Sequence, residues 1–135
     1  MEFCQGIIGT AEFKVTLSDS ALVQGSGSLE VFSTPRLLAL MEQAACNAIA
    51  PFLDEGTASV GVQVTLNHNA ATPIGMQVWA EAKWTALEGR MLSFEIEAFD
   101  EGGSIALATH QRCIVQTGRF MQKTQARSAS HGNPV

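Results

Sequence analysis

The chain has 135 residues, 46% of them hydrophobic and 16% charged, with a net charge of −5. That length suits one domain with a real core, and the acidic balance excludes the broad basic footprint of a nucleic-acid binder. No stretch approaches the ~18 apolar residues of a membrane span, no basic leader precedes an apolar run, and the scattered Cys4, Cys46 and Cys113 read as thiols of a reducing cytoplasm.

The first element is an alternating segment, Ala11 to Leu17, whose Phe13 and Val15 share one side of a half-buried strand. A polar Gly/Ser-rich loop, Ser18 to Ser28, follows. Gly25-Ser26-Gly27-Ser28-Leu29-Glu30 lacks the third glycine of a dinucleotide fingerprint and opens no βαβ unit, so it reads as a flexible connection. Ser33-Thr34-Pro35 is a helix start, with Thr34 as N-cap and Pro35 at the first helical position. The helix runs to about Phe52 and is apolar on most of its circumference.

Within that helix stands Glu42, placed by the i, i+3 and i+4 steps beside Leu38, Ala45, Cys46 and Ile49. No cation lies near it in sequence. A carboxylate on an apolar face suits a proton acceptor or nucleophile better than a structural ion pair.

Four more strands are expected. In the first, Val60, Val62, Val64, Leu66 and His68 share one parity, so that His68 continues an apolar face. Met76 to Trp84, Arg90 to Phe99 and Ser104 to Gln116 follow, joined by the hairpin signals Leu87-Glu88-Gly89 and Asp100-Glu101-Gly102-Gly103. The order βαββββ gives an α+β fold, an antiparallel sheet of about five strands curved around one long helix. The single domain covers residues 1–122, and the polar segment 123–135 reads as a disordered tail in which His131 has no role.

On the residues alone, each candidate also has a structural reading. Thr34 is a helix cap or a reactive hydroxyl, Glu42 a solvent-facing or a functional carboxylate, and His68 a satisfied strand-end histidine or a proton carrier. His110 and Arg112 read as part of a solvated strand face. No metal site is expected, because the histidines and cysteines have no ligand spacing.

The stretches Val31-Phe32-Ser33-Thr34 through Leu40-Met41-Glu42, Ala50-Pro51-Phe52-Leu53, His68-Asn69-Ala70-Ala71-Thr72-Pro73, Leu87-Glu88-Gly89-Arg90 and Thr109-His110-Gln111-Arg112 resemble the hot-dog-fold thioesterases of the fluoroacetyl-CoA thioesterase type. The similarity runs from about Val31 to Phe120. It implies a hot-dog fold, a homodimer or dimer of dimers, and hydrolysis of an acyl-CoA thioester with no cofactor beyond the coenzyme A of the substrate, while the small Ala44, Ala45 and Ala48 and the short chain fit a short or medium acyl group. It implies catalytic roles for Thr34, Glu42 and His68, a thioester-contacting backbone at Gly61 and a supporting arginine at Arg112. The alternatives are a hot-dog enoyl-CoA hydratase and a non-catalytic acyl-CoA-binding module.

One departure stands out. The fluoroacetyl-specific enzyme carries a bulky apolar gate before its catalytic threonine, where this chain has Gly25-Ser26-Gly27-Ser28-Leu29. Pro35 has no N–H, so an oxyanion donor at this helix start must be another amide.

Overall fold

A computed structural model describes residues 1–130. Five antiparallel strands form one sheet in the order β1-β3-β4-β5-β2, with β1 at Ile8–Lys14, β2 at Thr57–His68, β3 at Gln77–Glu88, β4 at Met91–Asp100 and β5 at Gly103–Gln116. The helix α2, Thr34–Ile49, packs chiefly on β1 and β3 and runs on into a 3-10 turn at Ala50–Phe52. A short α1 lies at Ala21–Gln24 and a terminal α3 at Thr117–Ser130. No helix of the described residues is long and apolar enough to cross a membrane.

The core forms where period-3.6 and period-2 apolar faces meet. Leu37, Leu40, Met41, Ala44, Ala45, Ala48 and Ile49 of α2 are buried against alternate strand residues, among them Val78, Ala80, Ala82, Trp84, Phe94, Ile96 and Ala98. The stripe of alanines lets the helix come very close to the sheet. A Cβ on Gly9 would collide with the backbone of Ala44 and Ala48, so β1 must present glycine there.

The Gly/Ser-rich segment before α2 is more ordered than its composition suggests. The Asp19 carboxylate accepts from Thr16 N–H and Oγ1–H, Ser20 caps α1, and Gly25, at φ 76°, ends it in the left-handed conformation. Backbone hydrogen bonds from Ser26 to Ala21 and from Leu22 to Leu29 close the turn. The segment is therefore tied down, not a loose connection.

The polar segment from Lys123, expected to be disordered, is helical through Ser130. Met121, Gln122, Lys123, Gln125, Ala126 and Arg127 are all good helix formers, and the apolar stripe that would have announced the helix is little more than Phe120, which is half-buried. Residue 131, to which no role was assigned, lies outside the described residues.

β2 departs from regular alternation. Gly61 pairs with Arg112 and Gln63 with Gln111, leaving Val62 as an extra residue in a β-bulge. Beyond the bulge Val64, Leu66 and His68 lie opposite His110, Ala108 and Ala106; before it, Ser59 and Gly61 face the same side. Val60 and Val62 are thereby put out of phase with the face they were expected to share. β2 is also an edge strand, and Val62 and Val64 stand exposed along it.

Candidate active site

Two clusters form on one side of the sheet. The first joins the start of α2 to the end of β2. The cap of α2 is Ser33, whose Oγ accepts from Arg36 N–H; Thr34 is the first helical residue and Pro35 the second, one position off the expected arrangement. Its hydroxyl is consequently free to meet His68, with Oγ1 and Nδ1 2.7 Å apart.

His68 is held by the turn that follows it. Asn69 N–H and Ala70 N–H both donate to the Ile105 carbonyl, and the buried Thr72 donates through Oγ1 to Asp100 Oδ2 at 2.7 Å. Thr72 also accepts at its carbonyl from Phe32 N–H, so the turn is locked to the segment leading into Thr34. The His68 Nε2 atom is buried and has no hydrogen-bond partner among the described residues. Burial holds the ring's pKa below the ordinary histidine value, the backbone of Ala70 opposing more weakly. A cavity of about 260 Å³ adjoins the pair, lined by Thr34, His68, Ala21, Ser26, Val31 and Ala71 among others.

The second cluster centres on Glu42. A cation does accompany it: Arg112 Nη1 donates to Glu42 Oε2 at 3.0 Å. Arg112 is buried, and its other donors are fixed by Ser59, from Nε to Oγ at 2.8 Å and from Nη2 to the carbonyl at 3.0 Å. His110, also buried, donates from Nδ1 to the Gln63 carbonyl at 2.7 Å. That fixes the neutral tautomer, so Nε2 accepts from Arg112 Nη1 at 3.2 Å. Burial lowers the pKa of His110, Arg112 adding to the effect while the Gln63 carbonyl and Glu42 oppose it. Gly61 completes the wall, where a Cβ would lie 2.5 Å from Glu42 Oε2.

His110 and Arg112 are thus not a solvated face. They continue the inward parity of Ala106 and Ala108, and that run of small buried residues was the available signal. Ser59 gave none.

The structure brings Thr34 to His68, and Glu42 to Arg112 and Gly61. It does not bring the two groups together within one chain. Eight helical residues separate Thr34 from Glu42, a rise of about 12 Å, and seven strand positions separate Gly61 from His68, about 20 Å.

The profile of the fluoroacetyl-CoA-specific thioesterase family matches residues 15–118. The chain belongs to that family. The fluoroacetyl-CoA thioesterase of Streptantibioticus cattleyicolor is 36% identical over 99 residues, covering 73% of this chain and 71% of its own. The crystal structure of the fluoroacetyl-CoA thioesterase FlK superposes with a TM-score of 0.88 at 30% identity, covering 95% of this chain and 99% of that one. A hot-dog-like protein from Thermanaerovibrio acidaminovorans gives 0.85 at 27% identity over 97% and 96% of the two chains. The hot-dog fold of this member of the family is the one its sequence implied.

Proposed function

We propose that the protein is an acyl-CoA thioesterase for short or medium acyl groups, acting in the cytoplasm as a homodimer whose active sites each draw on both subunits. The observation that carries this reading is the Thr34–His68 pair, 2.7 Å apart in the wall of a cavity, with the buried His68 Nε2 left without a protein partner among the described residues. Three free cysteines fit a reducing compartment.

The dimer supplies what one chain lacks. β2 has an unpaired edge carrying exposed Val62 and Val64, which a second copy would cover by antiparallel addition. A two-fold axis at Thr65, with Val62 bulged out of register, would bring the partner subunit's His68 opposite Gly61, and with it the partner subunit's Thr34 toward Glu42.

The chemistry follows from the donors present. The Glu42 carboxylate, steadied at Oε2 by Arg112, attacks the thioester carbonyl carbon or takes a proton from the water that does. The C–S bond then breaks, and on the nucleophilic route water hydrolyses the resulting acyl–Glu42 anhydride to the free acid and the regenerated carboxylate. Thr34 donates to Nδ1 of His68, which leaves the proton on Nε2 to stabilise the departing thiolate by hydrogen bonding. The bulge at Val62 leaves a peptide unit outside the ladder beside Glu42, and an amide there is the candidate oxyanion donor that Pro35 cannot be.

A panel of acyl-CoA thioesters assayed for free thiol tests the reading. Release of coenzyme A with a short or medium acyl optimum is expected. Hydration of an enoyl-CoA with the thioester intact, or binding without turnover, would overturn it.

A further inference from the structure

We propose that the cavity between the end of β5 and the start of α3 is the subsite for the phosphates of coenzyme A, an inference that rests on the acyl-CoA reading above. The cavity measures about 300 Å³, and its walls include Arg90, Arg119, Lys123, Thr57 and Phe120.

The charge distribution is the first argument. The chain has only eight lysines and arginines against thirteen acidic residues, yet three of the eight line this one cavity. Arg36 is paired with Asp19 and Arg112 with Glu42, whereas Arg90, Arg119 and Lys123 form no ion pair with a carboxylate among the described residues. Three unneutralised cations converging on an acidic protein form a local field suited to a multiply charged anion. Arginine and lysine are also the side chains best matched to phosphate oxygens.

Position is the second argument. Thr57 pairs with Gln116 at the end of the same β2–β5 ladder on which Gly61 pairs with Arg112. Four strand positions separate Thr57 from Gly61, about 13 Å, a gap that a pantetheine arm can span from phosphates in the cavity to a thioester beside Glu42. The walls are held by the fold: Ile114 N–H donates to the Arg90 carbonyl at 2.8 Å, and Thr117 N–H to the Gly56 carbonyl at 3.0 Å. Phe120, with Ile114 and Val115, gives an apolar surface for a purine beside the cations. On this reading α3 is part of the substrate site.

The test uses the Arg119→Gln/Lys123→Gln double variant, both positions being exposed. Calorimetry with coenzyme A and with pantetheine should show the wild type binding coenzyme A about tenfold or more tightly, as charge-assisted contacts allow, with that gap collapsing in the variant and shrinking in salt. In hydrolysis, KM for butyryl-CoA should rise by a similar factor at unchanged kcat, and butyryl-pantetheine should be handled as by the wild type. Equal binding of coenzyme A by variant and wild type, or equal damage to both thioesters, would overturn the proposal. No thiol release from either thioester, with the calorimetric gap intact, would overturn the hydrolase reading and leave the phosphate site standing.

Discussion

Arg112 grips Ser59 with two of its nitrogens and Glu42 with the third, at 3.0 Å from Oε2. The guanidinium fork is therefore a bracket between edge strand β2 and helix α2, and it sets where the carboxylate points.

Glu42→Gln should lower kcat by about 10²-fold or more with little change in KM, because a base or nucleophile acts mainly in the transition state. Arg112→Lys should lower kcat by about tenfold, since one ammonium cannot reach Ser59 and Glu42 in the same geometry. Steady-state kinetics on the best acyl-CoA check both, and a Gln variant with wild-type kcat would remove Glu42 from the chemistry.

His68 and His110 both have pKa values lowered chiefly by burial. The folded state therefore holds both rings neutral where the unfolded chain has begun to protonate, so the unfolded state binds more protons. Stability should be full above the ordinary histidine value of about 6.5 and fall as pH drops through the lower folded values. Turnover should fall along an acid limb in the same window, as His68 gains charge and Nδ1 can no longer accept from Thr34. His68→Ala should abolish that limb along with most of kcat, and an unchanged pH–rate profile in this variant would return His68 to a structural role.

Gly9→Ala should destabilise the fold by about 2 kcal/mol or more, since the new methyl meets the backbone of Ala44 and Ala48, which cannot move aside as a side chain would. Thermal unfolding of the variant measures this directly.

Substrate choice should follow from the turn before Thr34. With Ser26 on the wall of the cavity and no bulky apolar side chain from Gly25 to Ser28, nothing closes a dry lid over a two-carbon acyl group. Fluoroacetyl-CoA and acetyl-CoA should be hydrolysed with similar kcat/KM, and butyryl-CoA at least as well, each buried CH₂ contributing about 0.8 kcal/mol. A preference for the fluorinated substrate of about a thousandfold, on the order of 4 kcal/mol, would show that the turn does not control selectivity.

The long helix and the succession of five strands along the chain were legible because their apolar periods are strong and their turns carry glycine, whereas the place of β2 at the sheet edge beside β5 was not. What escaped was phase. An inserted residue such as Val62 leaves no compositional mark, yet it reverses the facing of one half of β2 relative to the other. The partnership of Glu42 with Arg112 joins residues seventy positions apart, and only the strand pairing brings them together. α3 was hidden for the opposite reason, being a helix of good intrinsic formers without an apolar stripe.

Ser33 and Thr34 carry neighbouring hydroxyls with separate employment, one closing the helix and the other touching His68. Had one residue served both ends, every change there would have confounded loss of fold with loss of reactivity. Here the two are divisible by a single step along the chain: a methyl in place of the Ser33 hydroxymethyl withdraws about 1 kcal/mol from the helix start and leaves the imidazole its companion, while the same change at Thr34 strips the imidazole and spares the helix.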